Sequence, residues 1–216
     1  MRARFITLEG GEGAGKSTQI KLLAKAFAAA GLSHITTREP GGSPGGEAIR
    51  QLVVSGSTDA WLPETEALLF MTARYDHLAT TITPALVRGA WVLCDRFYDS
   101  TYVYQGLSKQ VGSSWLDQLY SQLFANAAPD LTLLLDLPPA TGLARADKRG
   151  NIAESRFEQM DIAFHEQLRA GFLSLAAAHP QRIRPIDATQ DAAAVHAAII
   201  ACVNARFGLA LTHAAM

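Results

Sequence analysis

The stretch Gly10-Gly11-Glu12-Gly13-Ala14-Gly15-Lys16-Ser17 constrains this chain more than any other feature. Gly10, Gly15, Lys16 and Ser17 fill the pattern G-x-x-x-x-G-K-[ST]. In that pattern glycines let backbone N–H groups converge on phosphate oxygens at the positive end of the following helix. The pattern carries meaning only between a strand and a helix. Phe5-Ile6-Thr7-Leu8, rich in β-formers, precedes it, and Ile20, Leu22, Leu23, Ala26 and Phe27 follow at helical spacing as far as Gly31. Both flanks are present, so the segment reads as a phosphate-binding loop. Lys16 is expected to reach the β- and γ-phosphates and the Ser17 hydroxyl to bind Mg²⁺.

The remainder of the chain repeats the alternation. Further strands are expected at 34–37, 90–94, 131–135 and 183–186. Helices are expected at 63–83, 114–126, 139–148, 156–178 and 191–206, the first opened by Pro63 with Glu64 and Glu66 in its first turn. Strands alternating with helices predict a five-stranded, mostly parallel sheet flanked by helices. A chain of 216 residues without a Pro/Ser-rich linker is read as one domain over 1–208, with a loose tail at 209–216.

Charge and composition remove several function classes. The formal net charge is −1, with no run of Lys or Arg, so neither nucleic acid nor a membrane surface is an expected partner. Two cysteines cannot build a disulfide framework, which fits a reducing compartment, and six scattered histidines lack zinc-ligand spacing. Residues 1–9 resemble neither a signal peptide nor a membrane span. Gly41-Gly42-Ser43-Pro44-Gly45 fits the nucleophile elbow G-x-S-x-G, but the residue after the serine is Pro44, which has no N–H to stabilise an oxyanion. Ser43 is therefore read as a loop residue or a helix cap.

The metal needs an acid at a strand end, and two candidates compete. Asp136 precedes Leu137-Pro138-Pro139, where an acid flanks the next helix, whereas Asp95 is followed by Arg96 and so pairs a metal-facing carboxylate with a phosphate-facing guanidinium. Asp95 is preferred. Phe70 and Arg74 lie four apart on the expected helix 63–83, and a ring beside a guanidinium suits a flat base. On periodicity alone, an ordinary amphipathic helix with Phe inward and Arg outward is the better account of the pair.

The stretches GGEGAGKS, TREPGG (37–42), LLFMTAR (68–74) and DRFYDSTYVYQG (95–106), with RADKRG (145–150) and IDAT (186–189), resemble the thymidylate kinase family in order and over almost the whole chain. The resemblance implies a P-loop NTPase fold of the nucleoside monophosphate kinase type, a cytoplasmic homodimer, and Mg²⁺-assisted transfer of the ATP γ-phosphoryl group to dTMP on the route to dTTP. It assigns Gly10, Gly11, Glu12, Gly13, Ala14, Gly15, Lys16, Ser17 and Thr18 to ATP, and Ser17 and Asp95 to the metal. It assigns Phe70 to stacking on thymine and Arg74 to its O4 edge. Ser100, Thr101 and Gln105 then line base and sugar, Tyr104 lies against deoxyribose, Arg38 and Arg96 bind the acceptor phosphate, and Glu9 and Asp95 lie near the 3′-hydroxyl, phosphates and metal. The family usually carries Ala where this chain has Val103.

Glu12 and Ala14 leave the variable part of the loop without a cation, although transition-state charge in phosphoryl transfer is met by positioned cations. Arg145, Lys148, Arg149 and Arg156 crowd the segment that follows the helix at Pro139. They are read as a mobile lid over about 145–156, delivering a catalytic Arg145, Arg149 or Arg156 and pairing one with Glu12. A kinase for another nucleotide would need a different base pocket. A P-loop switch would commonly carry N-K-x-D, which is absent.

Overall fold

The computed structural model describes residues 3–108, 111–125, 127–147 and 156–213. Strands β1 (Phe5–Glu9), β2 (His34–Arg38), β3 (Trp91–Asp95), β4 (Leu131–Asp136) and β5 (Ile183–Asp187) form one parallel sheet in the order β2-β3-β1-β4-β5. The register sets Leu8 beside both Asp95 and Leu133, and Arg38 beside Asp95. The carboxyl ends of β1 to β4 therefore open along one edge, where a parallel sheet places its ligands.

Helices α1 (Lys16–Ala29) and α9 (Ala192–Phe207) cover one face of the sheet, because Ile6, Leu8, Leu93, Leu131 and Leu133 turn that way to meet Leu23, Phe27, Ile199 and Val203. Period-2 alternation sends Phe5, Val92 and Cys94 to the other face. There they pack on α3 (Pro63–His77), α4 (Thr83–Val87) and α6 (Ser113–Phe124) through Met71, Ala85 and Leu116. On the same side Leu134 and Ile183 meet Phe164, Leu168 and Phe172 of α8 (Ile162–Ala178). A polar seam crosses this face: Thr7 Oγ1 and Thr132 Oγ1 are 2.8 Å apart, and Arg182 grips both carboxylate oxygens of Asp99 at 2.6 and 2.8 Å. The seam pins α5 (Tyr98–Thr101) to the sheet, and with it the chain that leads into the site.

Two expectations are corrected. The helix expected over 63–83 is broken into α3, a π-turn over Leu78–Ile82, and α4. Pro84 lacks an N–H and its ring would strike the carbonyl one turn back, so the wider turn absorbs the conflict. The helix expected from 156 begins at Ile162, where Asp161 caps it by accepting the Phe164 N–H at 2.8 Å. After Gly208, which ends α9 in the left-handed conformation, residues 209–213 fold back onto the helix: Asn204 clamps the backbone of buried Leu211 at 2.9 and 3.0 Å. Ser43 is the helix cap it was read as: its Oγ accepts the Gly46 N–H at the start of α2 (Pro44–Val53). Unforeseen elements are α5 and a second π-turn, Tyr102–Ser108. α7 (Pro139–Asp147) matches the expected 139–148 to one residue.

Leu23 is wholly buried between α1, the sheet and α9. Leu23→Ala should cost ~2–5 kcal/mol in denaturant unfolding. Val87→Ala, at an 81% exposed position, should change stability by less than ~0.5 kcal/mol in the same measurement.

Candidate active site

The phosphate loop joins β1 to α1 and is shaped by glycines at positive φ. Gly13, at φ 67°, also packs against α7, where a Cβ would collide with the Gly142 carbonyl. Lys16 folds back over the loop and donates to the carbonyls of Gly10 and Gly11 at 3.0 and 2.8 Å. Burial, together with nearby Arg96, lowers its ammonium to about 8. Ser17 Oγ lies 2.9 Å from Asp95 Oδ2, which places a hydroxyl and a carboxylate side by side at the loop mouth. These are hard oxygen donors of the kind that holds Mg²⁺ alongside substrate phosphates. Asp136, the competing acid, is instead paired with Arg169 at 2.7 and 2.9 Å.

Arg96 follows β3 at φ 68°, a conformation that non-glycine residues enter only when the surroundings enforce it. Its guanidinium donates to Gly10 O at 2.9 Å, Ser100 Oγ at 3.1 Å and Glu12 Oε1 at 2.8 Å, and stands 5.1 Å from the centre of the Tyr104 ring. Tyr104 Oη donates to the same Glu12 oxygen at 2.8 Å. Burial alone would raise the Glu12 carboxyl, but Arg96, Lys16 and the Tyr104 hydrogen bond hold it down at about 2. Among the described residues the partner of Glu12 is thus Arg96; Arg149, a candidate lid partner, lies outside them.

Glu9 is buried behind this turn. Its two oxygens accept from the Phe97 N–H at 2.7 Å and Ser100 Oγ at 2.6 Å, which holds the Arg96 backbone in place. Burial, reinforced by Asp99 and opposed by Arg96, raises its carboxyl from about 4.5 to about 7.

A cavity of about 400 Å³ runs from the phosphate loop to a second pocket. Of the residues expected from sequence, Glu12 to Thr18, Arg38, Phe70, Arg74, Asp95, Arg96, Ser100, Thr101, Tyr104 and Gln105 all face it. Glu9, Gly10 and Gly11 support it from behind. Phe70 packs on Val53 and Val54. Arg74 is buried, with Nε on Glu39 Oε2 at 2.7 Å and its guanidinium 5.1 Å from the centre of the Phe97 ring. The Thr101 hydroxyl is buried without a partner among the described residues. Arg38 pairs with Glu47 at 3.1 Å and stays half exposed.

Of the lid arginines, Arg149 lies outside the described residues, as does Lys148. Arg145 donates to Ala188 O at 3.2 Å. Arg156 does not line the cavity; it is 1% exposed, ion-paired with Glu66, and bonded to the carbonyls of Val53, Ser57 and Thr58.

Sequence reasoning gave no role in the site to Glu39, Glu66 or Phe157. Glu39 sits inside TREPGG, and its burial could have been suspected from that motif. Its task of bridging Arg74 and His77 Nδ1, the latter at 3.0 Å, exists only in three dimensions. A carboxylate only accepts, so His77 carries its proton on Nδ1, and Thr37 Oγ1 lies 2.7 Å from Nε2.

Sheet order, phosphate loop and the adjoining pocket define a P-loop phosphotransferase of the nucleoside monophosphate kinase type. A sequence model described as Thymidylate kinase matches residues 8–199. The chain is 53% identical over 205 residues to a thymidylate kinase of Caulobacter vibrioides, covering 95% of this chain and 98% of that one. It is 50% identical to a thymidylate kinase of Magnetococcus marinus, with 96% and 98% covered. The crystal structure of thymidylate kinase from Ehrlichia chaffeensis superimposes with a TM-score of 0.75 at 30% identity, covering 94% of this chain and 99% of that chain. The chain belongs to the thymidylate kinase family.

The raised Glu9 carboxyl sets a pH dependence. A folded state that holds this proton more tightly than the unfolded chain is most favoured below pH 4.5 and loses that advantage as pH rises through about 7. Glu9→Gln should remove this contribution, so the stability difference between variant and parent should change by up to ~3 kcal/mol between pH 4.5 and 7.5 in urea titrations. An unchanged difference across that range would place the Glu9 titration elsewhere.

Proposed function

We propose that this chain transfers the γ-phosphoryl group of ATP to dTMP, giving ADP and dTDP. The observation that carries the reading is the continuity of one cavity from the phosphate loop to Phe70, Arg74, Thr101 and Gln105. Donor phosphates on the loop and an acceptor nucleotide in the pocket then share one enclosure, as in-line transfer requires.

In this reading Gly10 to Thr18 hold the ATP phosphates, and Lys16 exchanges its loop carbonyls for phosphate oxygens. Ser17 and Asp95 would hold Mg²⁺, which would offset the charge of the phosphates when bound. Phe70 stacks on the thymine ring, and Arg74, whose Nε is engaged by Glu39, turns its remaining N–H groups to O4. The Thr101 hydroxyl supplies a further polar contact, Tyr104 packs against deoxyribose, and Arg38 and Arg96 hold the acceptor phosphate. Glu9 acts through Ser100 and the Arg96 turn.

A lid over the segment between α7 and Arg156 closes on ATP and excludes water, with Arg145 or Arg149 reaching the transferring phosphoryl group. The proposed assembly is a homodimer. In its support, α3 carries Leu68 and Tyr75, two turns apart on one side and both about half exposed, on the helix that holds Phe70 and Arg74. Cys94 and Cys202 are both free thiols, which suits the cytoplasm.

A coupled assay of ADP release over a panel of monophosphates tests the acceptor. dTMP should be best and dUMP weaker by about 1 kcal/mol in kcat/KM, the usual scale for one buried methyl. Faster turnover of dCMP or dGMP at equal concentration would overturn the base assignment.

The lid has its own test. Arg145→Ala with Arg149→Ala should lower kcat and kcat/KM together by roughly 2–4 kcal/mol while the ATP Kd changes little. Near-intact kcat in the double variant would remove the lid from catalysis.

A further inference from the structure

Glu66 and Arg156 are both fully buried, ninety residues apart in the chain, and face each other as an ion pair. A buried pair is a costly way to stabilise a fold, since apolar residues of similar volume often serve as well. Its geometry gives it a different use. Glu66 Oε1 accepts from Gln105 Nε2 at 2.7 Å, and Gln105 faces the acceptor cavity. Arg156 anchors the other end: Nε donates to Ser57 O at 2.8 Å, Nη2 to Thr58 O at 2.9 Å, and its backbone N–H to Val54 O at 3.4 Å. The next residue, Phe157, lines the cavity with its ring 6.3 Å from Phe70 and 5.4 Å from Tyr104, edge-on to the latter.

We infer that Glu66 and Arg156 are a positioning pair that fixes which end of the Gln105 amide is offered to the acceptor base, and so contributes to base selection. A carboxylate only accepts hydrogen bonds, so Glu66 fixes the NH₂ end of Gln105 toward itself and leaves the carbonyl as the end offered to a ligand. A carbonyl matches a base whose reading edge carries a ring N–H, as thymine and uracil do, and opposes cytosine, whose ring nitrogen there is an acceptor. Arg156 holds the Glu66 carboxylate in place as its ion-pair partner, and through its own backbone it holds the Phe157 wall. The assignment rests on the pocket being the acceptor site for dTMP.

Glu66→Gln tests the pair with little change of shape. A glutamine at 66 that keeps its carbonyl toward Arg156 must turn its NH₂ toward Gln105, which reverses the Gln105 amide. The ratio of kcat/KM for dTMP to that for dCMP should then fall by roughly 10-fold or more, because one buried hydrogen bond is lost for thymine and one repulsion is relieved for cytosine. A ratio that stays within about twofold of the parent's overturns the inference, whether or not both activities drop, since general damage lowers both alike. Should Glu66→Gln fail to fold, Arg156→Lys carries the test, because it keeps a cation beside Glu66 but loses the carbonyl anchors. It should raise the dTMP KM about 10-fold with kcat within about threefold. A kcat loss of about 10³-fold at unchanged KM would instead make Arg156 a phosphate contact and sink the positioning role. The parent protein distinguishes the two levels: if it does not phosphorylate dTMP, the acceptor reading fails first, whereas an active parent with an unmoved ratio defeats only the positioning pair.

Discussion

The Arg96 guanidinium is the interaction on which the rest of the site depends. It bonds the phosphate loop at Gly10 and Glu12, bonds Ser100 at the start of the acceptor pocket, and lies against the Tyr104 ring. Two segments more than eighty residues apart, the phosphate loop and the stretch from Arg96 to Tyr104, thus meet on one planar cation, whose fork of donors can engage several acceptors in fixed directions. The backbone at Arg96 is left-handed, which costs a non-glycine residue on the order of 1 kcal/mol or more. Glu9 offsets that strain by holding the following N–H and the Ser100 hydroxyl from behind.

An acid inside a loop built to receive anions is accounted for by the same cation. Glu12 is held ionised by Arg96, Lys16 and the Tyr104 hydroxyl, so the buried charges offset one another before any nucleotide arrives. Lys16 is likewise engaged by loop carbonyls. Both cations are therefore pre-positioned at little cost in reorganisation, the condition under which electrostatic stabilisation is most effective. The acceptor pocket follows the same design one layer further out. Glu39 holds Arg74, His77 holds Glu39, and Thr37 fixes the His77 ring.

Much of the fold was legible because it rests on local rules. All five strands lie within a residue or so of their expected positions, since buried parallel strands announce themselves as short apolar runs bounded by turn residues. The helix over 63–83 was over-extended because periodicity continues through Pro84 while the backbone cannot. The start at 156 was premature because Asp161 offers a cap that an apolar pattern does not register. In the site, Phe70, Arg74, Thr101 and Gln105 were placed by motif resemblance, and periodicity alone would have left Phe70 and Arg74 as an ordinary helix face.

The sequence by itself determined the phosphate loop, its strand and helix, the parallel sheet and the choice of Asp95 beside Ser17. The loop, strand and helix depend on neighbours within a few residues, through glycine's freedom at positive φ and the period of side chains, and the choice of Asp95 on the rule that strand ends gather at one edge. Only the tertiary structure decided where the long charged side chains go. Arg156 reads as one of a run of lid cations, yet it is buried on Glu66, and among the described residues Glu12 finds its cation in Arg96, across the site. A guanidinium can reach several ångströms in any direction from its backbone, and its partner is fixed by desolvation and charge balance among segments that adjacency in sequence does not bring together.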